Sequence, residues 1–388
     1  MSNAGRRPVV VHLTTTDMSL DWLLAPQLRA FIDAGYDIVG MSAPGPHVAS
    51  LEASGIRHIA LPALTRSTNP LHDVRAVVQV WRALRRLRPD ILHTHNPKPG
   101  IIGRIAGRLA RVPLVVNTQH GLYAQPSDRW QRRIPVYAAE RFAAAFSHAE
   151  LVQNPEDVDT LVQALRVPVR RVHLLGNGID LTRFSPTAVH PDARHALRHE
   201  WGVGPDEIVV GVVGRLVREK GIVEILEAAH MLRERGVVVR TVIVGPADPD
   251  KADAIDPALL RRAEHDGVVL AGQRTDMPEC YSAFDLFLTA SWREGFPRSA
   301  MEAAAMGLPT IATDIRGNRQ VVRHDITGVL VNVRDPGALA DGIAHLAQHR
   351  ELWPAMRTAA LAAAASDFDQ ATVIARTLAV YAGRTPEH

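Results

Sequence analysis

The stretch IVVGVVGRLVREKGIVEILEAAHML at 208–232 decides the fold class of this chain. It opens with a nearly continuous apolar run, as in a strand that is buried on both faces of a sheet. After a short turn, apolar residues recur with helical spacing at Ile222, Ile225, Leu226, Ala229 and Leu232. A buried strand followed by an amphipathic helix is typical of parallel α/β sheets.

The same alternation continues along the chain. In the first half the candidate strands are 9–13, 37–42, 56–61, 90–95, 113–118, 149–154 and 171–176. After a polar, proline-marked stretch at 184–206 the pattern restarts, with candidate strands at 208–214, 239–245, 268–272, 284–291, 309–314 and 328–332. We therefore expect two doubly wound, Rossmann-like α/β domains that face a central cleft.

The length of 388 residues also favours two domains, because a single hydrophobic core seldom serves so many residues. We expect an N-terminal domain at 1–185 and a C-terminal domain at 186–365, with a linker near 184–206. A helical pattern at 368–381 predicts that residues 366–388 pack back on the first domain. Ligands of doubly wound sheets bind outside the carboxyl ends of the strands.

Composition excludes some classes of protein. The single cysteine, Cys280, excludes a framework of internal disulfides and fits a reducing compartment, and its acidic neighbours disfavour a thiolate nucleophile. No apolar run approaches the roughly 18 residues that cross a bilayer. The run at 9–13 is too short for a signal peptide, so we expect a cytoplasmic protein.

Charge is unevenly distributed along the chain. Residues 1–185 carry 22 Lys+Arg against 14 Asp+Glu, a net charge of +8, whereas residues 186–388 carry 22 against 27, a net charge of −5. A basic first half suggests an anionic partner, such as a phosphate or a membrane surface, although solvated arginines explain it equally well. The stretch 129–146 mixes arginine with aromatic residues, as interfacial helices do. With the arginines at 82–88, it leaves peripheral contact with the inner membrane face open, and no motif indicates a nucleic-acid partner.

The turn GRLVREKG at 214–221 has the chemistry of an anion site. Arg215 and Lys220 flank the start of the following helix, where free backbone N–H groups and the helix dipole favour an anion. Arginine binds phosphate oxygens with two donors, and lysine adds a compact charge. Taken alone, the segment is also compatible with two ordinary surface cations.

A second segment, EGFPRSAME at 294–302, strengthens that interpretation. Pro297 suits the start of a helix, so Arg298 lies in its first turn, where a cation opposes the dipole unless an anion is bound there. Glu294 in the preceding loop and Glu302 in the helix can accept hydrogen bonds from different hydroxyls of one extended ligand. Together the two segments predict a site for a nucleotide diphosphate that bears a polyol.

Two patterns resemble metal sites. Asp248-Pro-Asp250 has the form of a metal-binding acidic pair, but its surroundings are typical of a solvated loop. His93-Thr-His95 lacks a further matched ligand in the sequence. We therefore expect no metal and no other cofactor.

Longer stretches of the chain now resemble a known family, the retaining glycosyltransferases of the GT-B fold, of the type called glycosyl transferases group 1 or family 4. The matching stretches are VNTQHG at 116–121, LLGNGIDLTRF at 174–184, VVGRLVREKG at 212–221, the two glutamates of 294–302, AAMGLPTIATDIRGNRQVV at 304–322 and TGVLV at 327–331. This ordered set spans nearly the whole chain, which makes it far more specific than any one stretch.

The resemblance implies a role for each matching residue. The implied catalytic residues are Glu294, His120, Arg215 and Lys220. The implied donor-binding residues are Arg215, Lys220, Gly214, Gln273, Arg274, Glu294, Gly295, Phe296, Arg298, Ser299 and Glu302. Within this set the two cations and the backbone at 296–299 would hold the diphosphate. Glu294 would contact the sugar near its C3, and Glu302 would bind the ribose. Residues 273–274 would hold the base. His120 would face the donor sugar from the first domain.

The chain departs from the family pattern in two places. Many relatives have a Gly-Gly loop after the first strand, whereas this chain has TTTDMSLD at 14–21. On the acceptor side the candidates are Thr16, Asp17, Asn96 and Lys98. Relatives often carry Gly-Leu in place of Pro297-Arg298, so one phosphate-binding N–H is lost and the Arg298 side chain compensates.

The resemblance implies metal-independent transfer, with retention, from a nucleotide-sugar donor. UDP is the favoured carrier, and the acceptor is a glycan, a lipid-linked sugar or a natural product. Two alternatives stay open: a nucleotide-sugar epimerase on the same fold, and a non-catalytic nucleotide-sugar-binding protein.

Overall fold

The computed structural model describes residues 6–65, 70–95, 97–126, 128–204, 206–249, 251 and 253–383. The chain divides into two compact units, of which unit 1 comprises residues 1–176 with 371–388 and unit 2 comprises 177–370. The first boundary, after residue 176, lies nine residues before the expected one. The second boundary, after residue 370, lies five residues after the expected one.

The boundary moves because the expected linker belongs to unit 2. Phe184, Leu197 and Trp201 are buried in the core of unit 2. The two crossing segments also bond to each other within unit 2, since the amide of Ile179 donates to the carbonyl of Phe368 at 2.9 Å. A polar, proline-marked sequence therefore conceals a packed helix at 193–200.

Unit 1 is built on a parallel sheet of seven strands in the described part of the chain, in the order β3-β2-β1-β4-β5-β6-β7. The strands are β1 (Val9–Thr16), β2 (Asp37–Ala43), β3 (Arg57–Ala60), β4 (Ile91–His95), β5 (Leu114–Gln119), β6 (Ala149–Val152) and β7 (Val172–Leu174). Each coincides with an expected strand to within three residues at either end, because continuous apolar runs mark strands covered on both faces.

The helices of unit 1 are α1 (Ala25–Asp33), α2 (Val48–Ala53), α3 (Pro70–Leu87), α4 (Pro97–Leu109), α5 (Trp130–Ala144), α6 (Pro155–Asp159) and α14 (Gln370–Tyr381). π-Helical turns at Ser19–Leu24 and Thr160–Ala164 and a 3₁₀ turn at Val169–Arg171 complete the unit. Helix α14 contributes Val373, Val380 and Tyr381 to the core that contains Val10 and Phe31. The last helix therefore packs on the first domain, as its pattern predicts.

Unit 2 repeats the design with six described strands in the order β10-β9-β8-β11-β12-β13. They are β8 (Ile208–Val213), β9 (Val239–Val244), β10 (Val269–Gly272), β11 (Leu286–Thr289), β12 (Thr310–Thr313) and β13 (Gly328–Val331). Its helices are α7 (Ala193–Glu200), α8 (Ile222–Glu234), α9 (Pro257–His265), α10 (Met277–Ala283), α11 (Arg298–Ala305), α12 (Pro336–Gln348) and α13 (Trp353–Asp367). The doubly wound fold class is confirmed for both units.

A buried charge cluster ties α4, α5 and β6 of unit 1 together. The guanidinium of Arg104 is fully buried and contacts Glu140 at 2.6 Å and Glu150 at 2.8 Å. Asn117 and Gln119 on β5 donate to the same two carboxylates. Each buried charge thus has several partners, as burial of charge requires.

Among the helices that the structure describes, none combines the length and the apolar content needed to cross a bilayer.

Candidate functional site

The strand order of unit 2 reverses between β8 and β11, which is where doubly wound sheets bind ligands. The loops after these two strands contact each other. The amide of Trp292 donates to the carbonyl of Glu219 at 2.9 Å, and its indole N–H donates to Glu224 at 2.8 Å. Gly221 has φ +70°, and a Cβ there would lie 2.1 Å from the Ala290 carbonyl oxygen. Glycine at 221 therefore allows the two predicted segments to approach closely.

A cation of the first segment meets an acid of the second. Lys220 Nζ lies 2.5 Å from Glu294 Oε1, and the Ser291 hydroxyl donates to the same oxygen at 2.8 Å. The side chains are partly accessible, at 29% for Lys220 and 17% for Glu294. The two residues that the sequence assigns to phosphate and sugar are therefore direct neighbours and open to a ligand.

Arg215 has a partner that the sequence did not suggest. Its Nη1 lies 2.8 Å from Asp248 Oδ2 in the loop after β9, and both side chains are partly accessible. Gly214 donates its amide to the Val244 carbonyl at 3.0 Å, which joins the ends of β8 and β9. Asp248, expected in a solvated loop, instead neutralises one of the two predicted phosphate cations.

Helix α11 begins at Arg298, with Pro297 as the residue before its first turn. Arg298 Nε lies 3.1 Å from Glu302 Oε1, and the Tyr281 hydroxyl donates to Glu302 Oε2 at 2.9 Å. Burial raises the pKa of Glu302, and the charge of Arg298 opposes that shift. Sequence reasoning missed Tyr281, because nothing in its spacing links α10 to the glutamate.

The remaining backbone positions of the second segment are fixed by packing. The Asn177 side chain donates to the Phe296 carbonyl at 3.3 Å, and the Phe296 ring packs edge-on against Phe368. Ser299 lies in the first turn of α11, and Gly295 precedes it in the loop. The first amides of a helix have no intrahelical acceptor, so this turn can bind an anion.

Gln273 and Arg274 directly follow β10, at the same edge of the sheet. Gln273 is exposed. Arg274 contacts Asp276 through Nε at 2.9 Å and Nη2 at 2.6 Å, and Glu200 through Nη1 at 2.6 Å. Hydrogen bonds to Asp276 raise the pKa of Arg274. These acids hold its guanidinium, whereas the Gln273 amide faces solvent.

The predicted acceptor-side residues lie in unit 1, and each has different hydrogen-bond or charge partners. The carboxylate of Asp17 is buried and accepts from the amides of Met18 at 2.9 Å and His47 at 2.7 Å, so it organises a loop. Thr16 lies 3.2 Å from the Ser19 hydroxyl. Lys98 contacts Asp73 at 2.5 Å. Asn96 lies outside the described residues.

His120 follows β5 and belongs to a cluster of imidazoles. Its Nε2 lies 3.1 Å from Nδ1 of His95, whose Nε2 lies 3.0 Å from Nδ1 of His12. Burial lowers the pKa of His120 to about 4 and that of His12 to about 3, so both rings are neutral near pH 7. No third partner for His93 and His95 could be identified from the sequence, and the fold brings His12 to them from β1.

Nitrogens of His12, His93 and His95 lie within 4.8 Å of one another, which is close enough for one metal ion. However, His93 and His95 stack at 4.3 Å between ring centroids, so their edges do not converge on one point. Their nitrogens are also engaged in hydrogen bonds to neighbouring side chains. The cluster is therefore better described as a hydrogen-bonded network than as a ligand set.

A cavity of about 510 Å³ elsewhere in unit 2 plays no part in this geometry. It is lined by Asp285 and Pro309, which precede β11 and β12, and by Trp353. It therefore lies at the amino ends of these strands, away from the charge pairs.

Two Rossmann-like units, with paired cations and acids at the switch point of the second, define the class of GT-B glycosyltransferases. The family models agree: Glycosyltransferase Family 4 matches residues 24–183, and Glycosyl transferases group 1 matches residues 207–349. The chain belongs to this family of glycosyltransferases.

Curated relatives cover most of the chain. It is 29% identical over 314 residues to the UDP-Gal:alpha-D-GlcNAc-diphosphoundecaprenol alpha-1,3-galactosyltransferase of Escherichia coli, covering 79% of each chain. It is 32% identical to the GDP-mannose-dependent alpha-mannosyltransferase of Mycobacterium tuberculosis, covering 70% of this chain and 68% of the relative.

A solved structure supports the fold. The crystal structure of Anabaena HepE in complex with UDP and glucose matches with a TM-score of 0.78 at 21% identity, and the match covers 96% of this chain and 99% of HepE. The family models and the curated relatives confirm glycosyltransferase activity, expected from the sequence, at the level of the class.

Proposed function

We propose that this glycosyltransferase moves a sugar from a UDP-sugar to a lipid-linked or other glycan acceptor, with retention and without a metal. The observation that carries the proposal is the contact between Lys220, the proposed phosphate-binding cation, and Glu294, the proposed hydroxyl-binding acid. The UDP and glucose in HepE and the UDP-Gal in the name of the Escherichia coli relative support UDP as carrier. The name of that relative also supports a lipid diphosphate acceptor.

In this proposal the charged side chains of the site pair with one another, and the donor replaces these internal pairs. The diphosphate takes Lys220 from Glu294 and Arg215 from Asp248, and Glu294 then accepts from sugar hydroxyls. Glu302 accepts from the ribose while Arg298 supports it. The amides at 296–299 add donors to the diphosphate from the start of α11. Gly214 leaves space for this approach, and Gln273 offers its amide to the base.

Transfer then needs little covalent chemistry from the protein. The bond between C1 of the sugar and the phosphate oxygen breaks, and its electron pair leaves on the diphosphate. The acceptor oxygen bonds to C1 on the same face, and its proton passes to the departing phosphate. Arg215 and Lys220 stabilise the developing charge, which is the work a metal does in other enzymes. Glu294 orients the sugar.

Removal of either cation tests this assignment. Arg215→Ala and Lys220→Ala should each lower turnover roughly 10²–10³-fold, the scale for one preorganised electrostatic donor. Arg218→Ala is the matched control, because Arg218 lies in the same turn but is exposed. A thermal-shift screen of UDP- and GDP-sugars first selects the donor, since a ligand that binds only the folded state stabilises it.

Radiolabelled sugar is then followed into a membrane-lipid extract and a glycan extract. Full transfer by both cation variants would contradict the proposed roles. Conversion of the donor sugar to its epimer without an acceptor would identify an epimerase instead, and binding without any turnover would identify a non-catalytic protein.

For the acceptor we also propose contact with the inner membrane face through one surface of unit 1. Helices α3 and α5 both pack on α4 and so lie on one face of the sheet. Trp130, Ile134 and Phe142 of α5 are exposed at 63%, 57% and 59%. Arginines flank them on α5 and on the exposed side of α3. Large apolar side chains among cations are typical of helices that lie in a bilayer interface.

Vesicle sedimentation tests this contact. At low salt, anionic vesicles should carry down the wild-type protein, and the triple variant Trp130→Ser, Ile134→Ser, Phe142→Ser should stay in the supernatant. The matched control replaces Val169 and Val238, which are exposed elsewhere, with serine. Equal sedimentation of the triple variant and the wild type would contradict the proposal.

A further inference from the structure

A chain of hydrogen bonds runs from His120 to Thr118 through the interior of unit 1. Beyond the contacts of His120 with His95 and of His95 with His12, the Tyr381 hydroxyl lies 3.3 Å from His12 Nε2 and 2.5 Å from His93 Nδ1. His93 Nε2 lies 2.7 Å from the Thr118 hydroxyl. Tyr381 comes from α14, so the last helix closes a chain whose other members follow or occupy β1, β4 and β5.

The protons of this chain of hydrogen bonds have only two consistent arrangements. A neutral imidazole donates through one nitrogen and accepts through the other, and the tyrosine hydroxyl likewise donates once. Each link therefore fixes the next, and all the hydrogen bonds run either towards Thr118 or towards His120. Burial lowers the pKa of His12, His93, His95 and His120, which keeps every imidazole neutral.

The two distances at Tyr381 select one arrangement. A phenolic O–H donates more strongly than it accepts, and strong O–H donors make the shorter contacts. The 2.5 Å contact with His93 Nδ1 is therefore the bond that Tyr381 donates, and the 3.3 Å contact is the one it accepts from His12 Nε2. His12 Nδ1 must then accept from His95 Nε2, and His95 Nδ1 must accept from His120 Nε2.

We propose that Tyr381, His12 and His95 are positioning residues that hold His120 as the Nε2–H tautomer, so that its Nδ1 is a hydrogen-bond acceptor. Because Nε2 faces His95, Nδ1 is the nitrogen that remains for other partners. A hydroxyl of the sugar or the acceptor can then donate to Nδ1. The inference rests on the proposed function for the identity of that hydroxyl, but not for the tautomer.

Two-bond ¹⁵N–¹H spectra of the full-length protein with labelled histidine test the tautomer directly. The signals of His120 are assigned by their loss in His120→Asn. The wild type should show His120 protonated at Nε2. Tyr381→Phe keeps the ring that packs against Phe31 but removes the link, so the tautomer ratio of His120 should change by up to about 10-fold.

Tyr36→Phe is the matched control, because Tyr36 also packs against Tyr381 but makes none of these contacts in the described structure. It should leave the His120 spectrum unchanged. An Nδ1–H tautomer in the wild type, or an unaltered ratio in Tyr381→Phe, would overturn the inference. So would retention of one equivalent of Zn²⁺ after dialysis, with shifts of the same imidazoles, since the nitrogens would then be ligands.

Transfer assays separate this inference from the proposed function. Tyr381→Phe should lower kcat and leave the donor KM unchanged, because the tautomer affects the reacting complex rather than the diphosphate site. If His120→Asn transfers sugar normally while the wild-type tautomer is as expected, the contact of His120 with substrate is wrong and the hydrogen-bonded chain stands.

Discussion

Unit 1 buries the charge cluster around Arg104, whereas unit 2 leaves the pair of Lys220 and Glu294 accessible. Arg104 is fully buried, and its two carboxylate partners accept further bonds from Asn117 and Gln119. Lys220 and Glu294 pair at the edge of the second sheet with 29% and 17% of their side chains exposed. Pairs of a cation and a carboxylate therefore occur in two settings, one closed to solvent and one open to it.

The difference follows from what an incoming anion can exchange. A phosphate can replace Glu294 at Lys220 because water and ligand reach the pair, and an exposed pair contributes only about 0–1 kcal/mol. No ligand can replace Glu150 at Arg104 without opening the core. The accessible charge pair at the carboxyl ends of the strands can therefore exchange a partner for an anion, whereas the buried cluster between helix and sheet stabilises the fold.

The largest expected difference between the two units is the change in their stability at acid pH. The lowered pKa of the four clustered histidines means that unfolding takes up protons below about pH 6.5. Their contribution to stability is complete above that pH and is lost as the pH falls towards the folded pKa, which is about 3 for His12. Each imidazole costs about 1.4 kcal/mol per pH unit in this window. Hydrogen exchange of β1, β4 and β5 between pH 7.5 and 5.5 measures the loss.

Unit 2 should behave in the opposite sense at the buried acid Glu302. The raised pKa of Glu302 means that its proton is bound more tightly in the folded state, so that stability rises as the pH falls through the folded pKa. His265→Asn is a control for the first effect, because His265 is almost fully exposed. Equal protection of the unit 1 strands at both pH values would show that the histidines are not buried as neutral groups.

Arg104→Met should destabilise unit 1 by about 3–5 kcal/mol, because it leaves Glu140 and Glu150 buried without their cation. Arg108→Met on the same helix is the matched control, since Arg108 is exposed and contacts only His148 among the hydrogen bonds described. Hydrogen exchange resolved by unit is the measurement. A loss of protection in unit 2 rather than unit 1 would contradict the separation of the two.

The fold follows from the sequence because local patterns carry it. The expected strands of both units are present, since continuous apolar runs mark strands covered on both faces. The approach of the two segments that carry Lys220 and Glu294 also follows, because parallel strands end at one edge and the family pattern supplies their order. These residues are 74 positions apart, yet each is fixed by its own βα turn.

Other partners could not be predicted, because tertiary packing alone creates them. His12 lies 83 positions from His95 and Tyr381 lies 288 positions from His93, with no spacing that connects them. Arg215 meets Asp248 because β9 lies beside β8, which the sequence order does not reveal. The boundary at 176 was missed since the residues after it look polar locally but bury Phe184 and Leu197.

Glu302→Gln should weaken UDP binding by about 10-fold, since a hydrogen bond to a charged group contributes about 1.5–3 kcal/mol and glutamine keeps one acceptor. Calorimetry with UDP and with pyrophosphate separates the contributions, because the proposed contact is with the ribose and pyrophosphate should bind equally well to both proteins. Glu264→Gln, an exposed position on α9, is the control. Equal losses for UDP and pyrophosphate would move Glu302 from the ribose to the diphosphate.

Asp248→Asn should have the smallest effect and the opposite sign. In the proposed donor complex Asp248 competes with the diphosphate for Arg215. Both side chains are partly exposed, so their pairing contributes at most about 1 kcal/mol. Release of Arg215 should therefore tighten UDP binding by up to about fivefold. Asp341→Asn removes a comparable exposed partner of Arg235 and should leave binding unchanged. Weaker binding in Asp248→Asn alone would mean that this acid orients Arg215 for phosphate rather than competing with it, and accessible pairs would then be as structural as the buried ones.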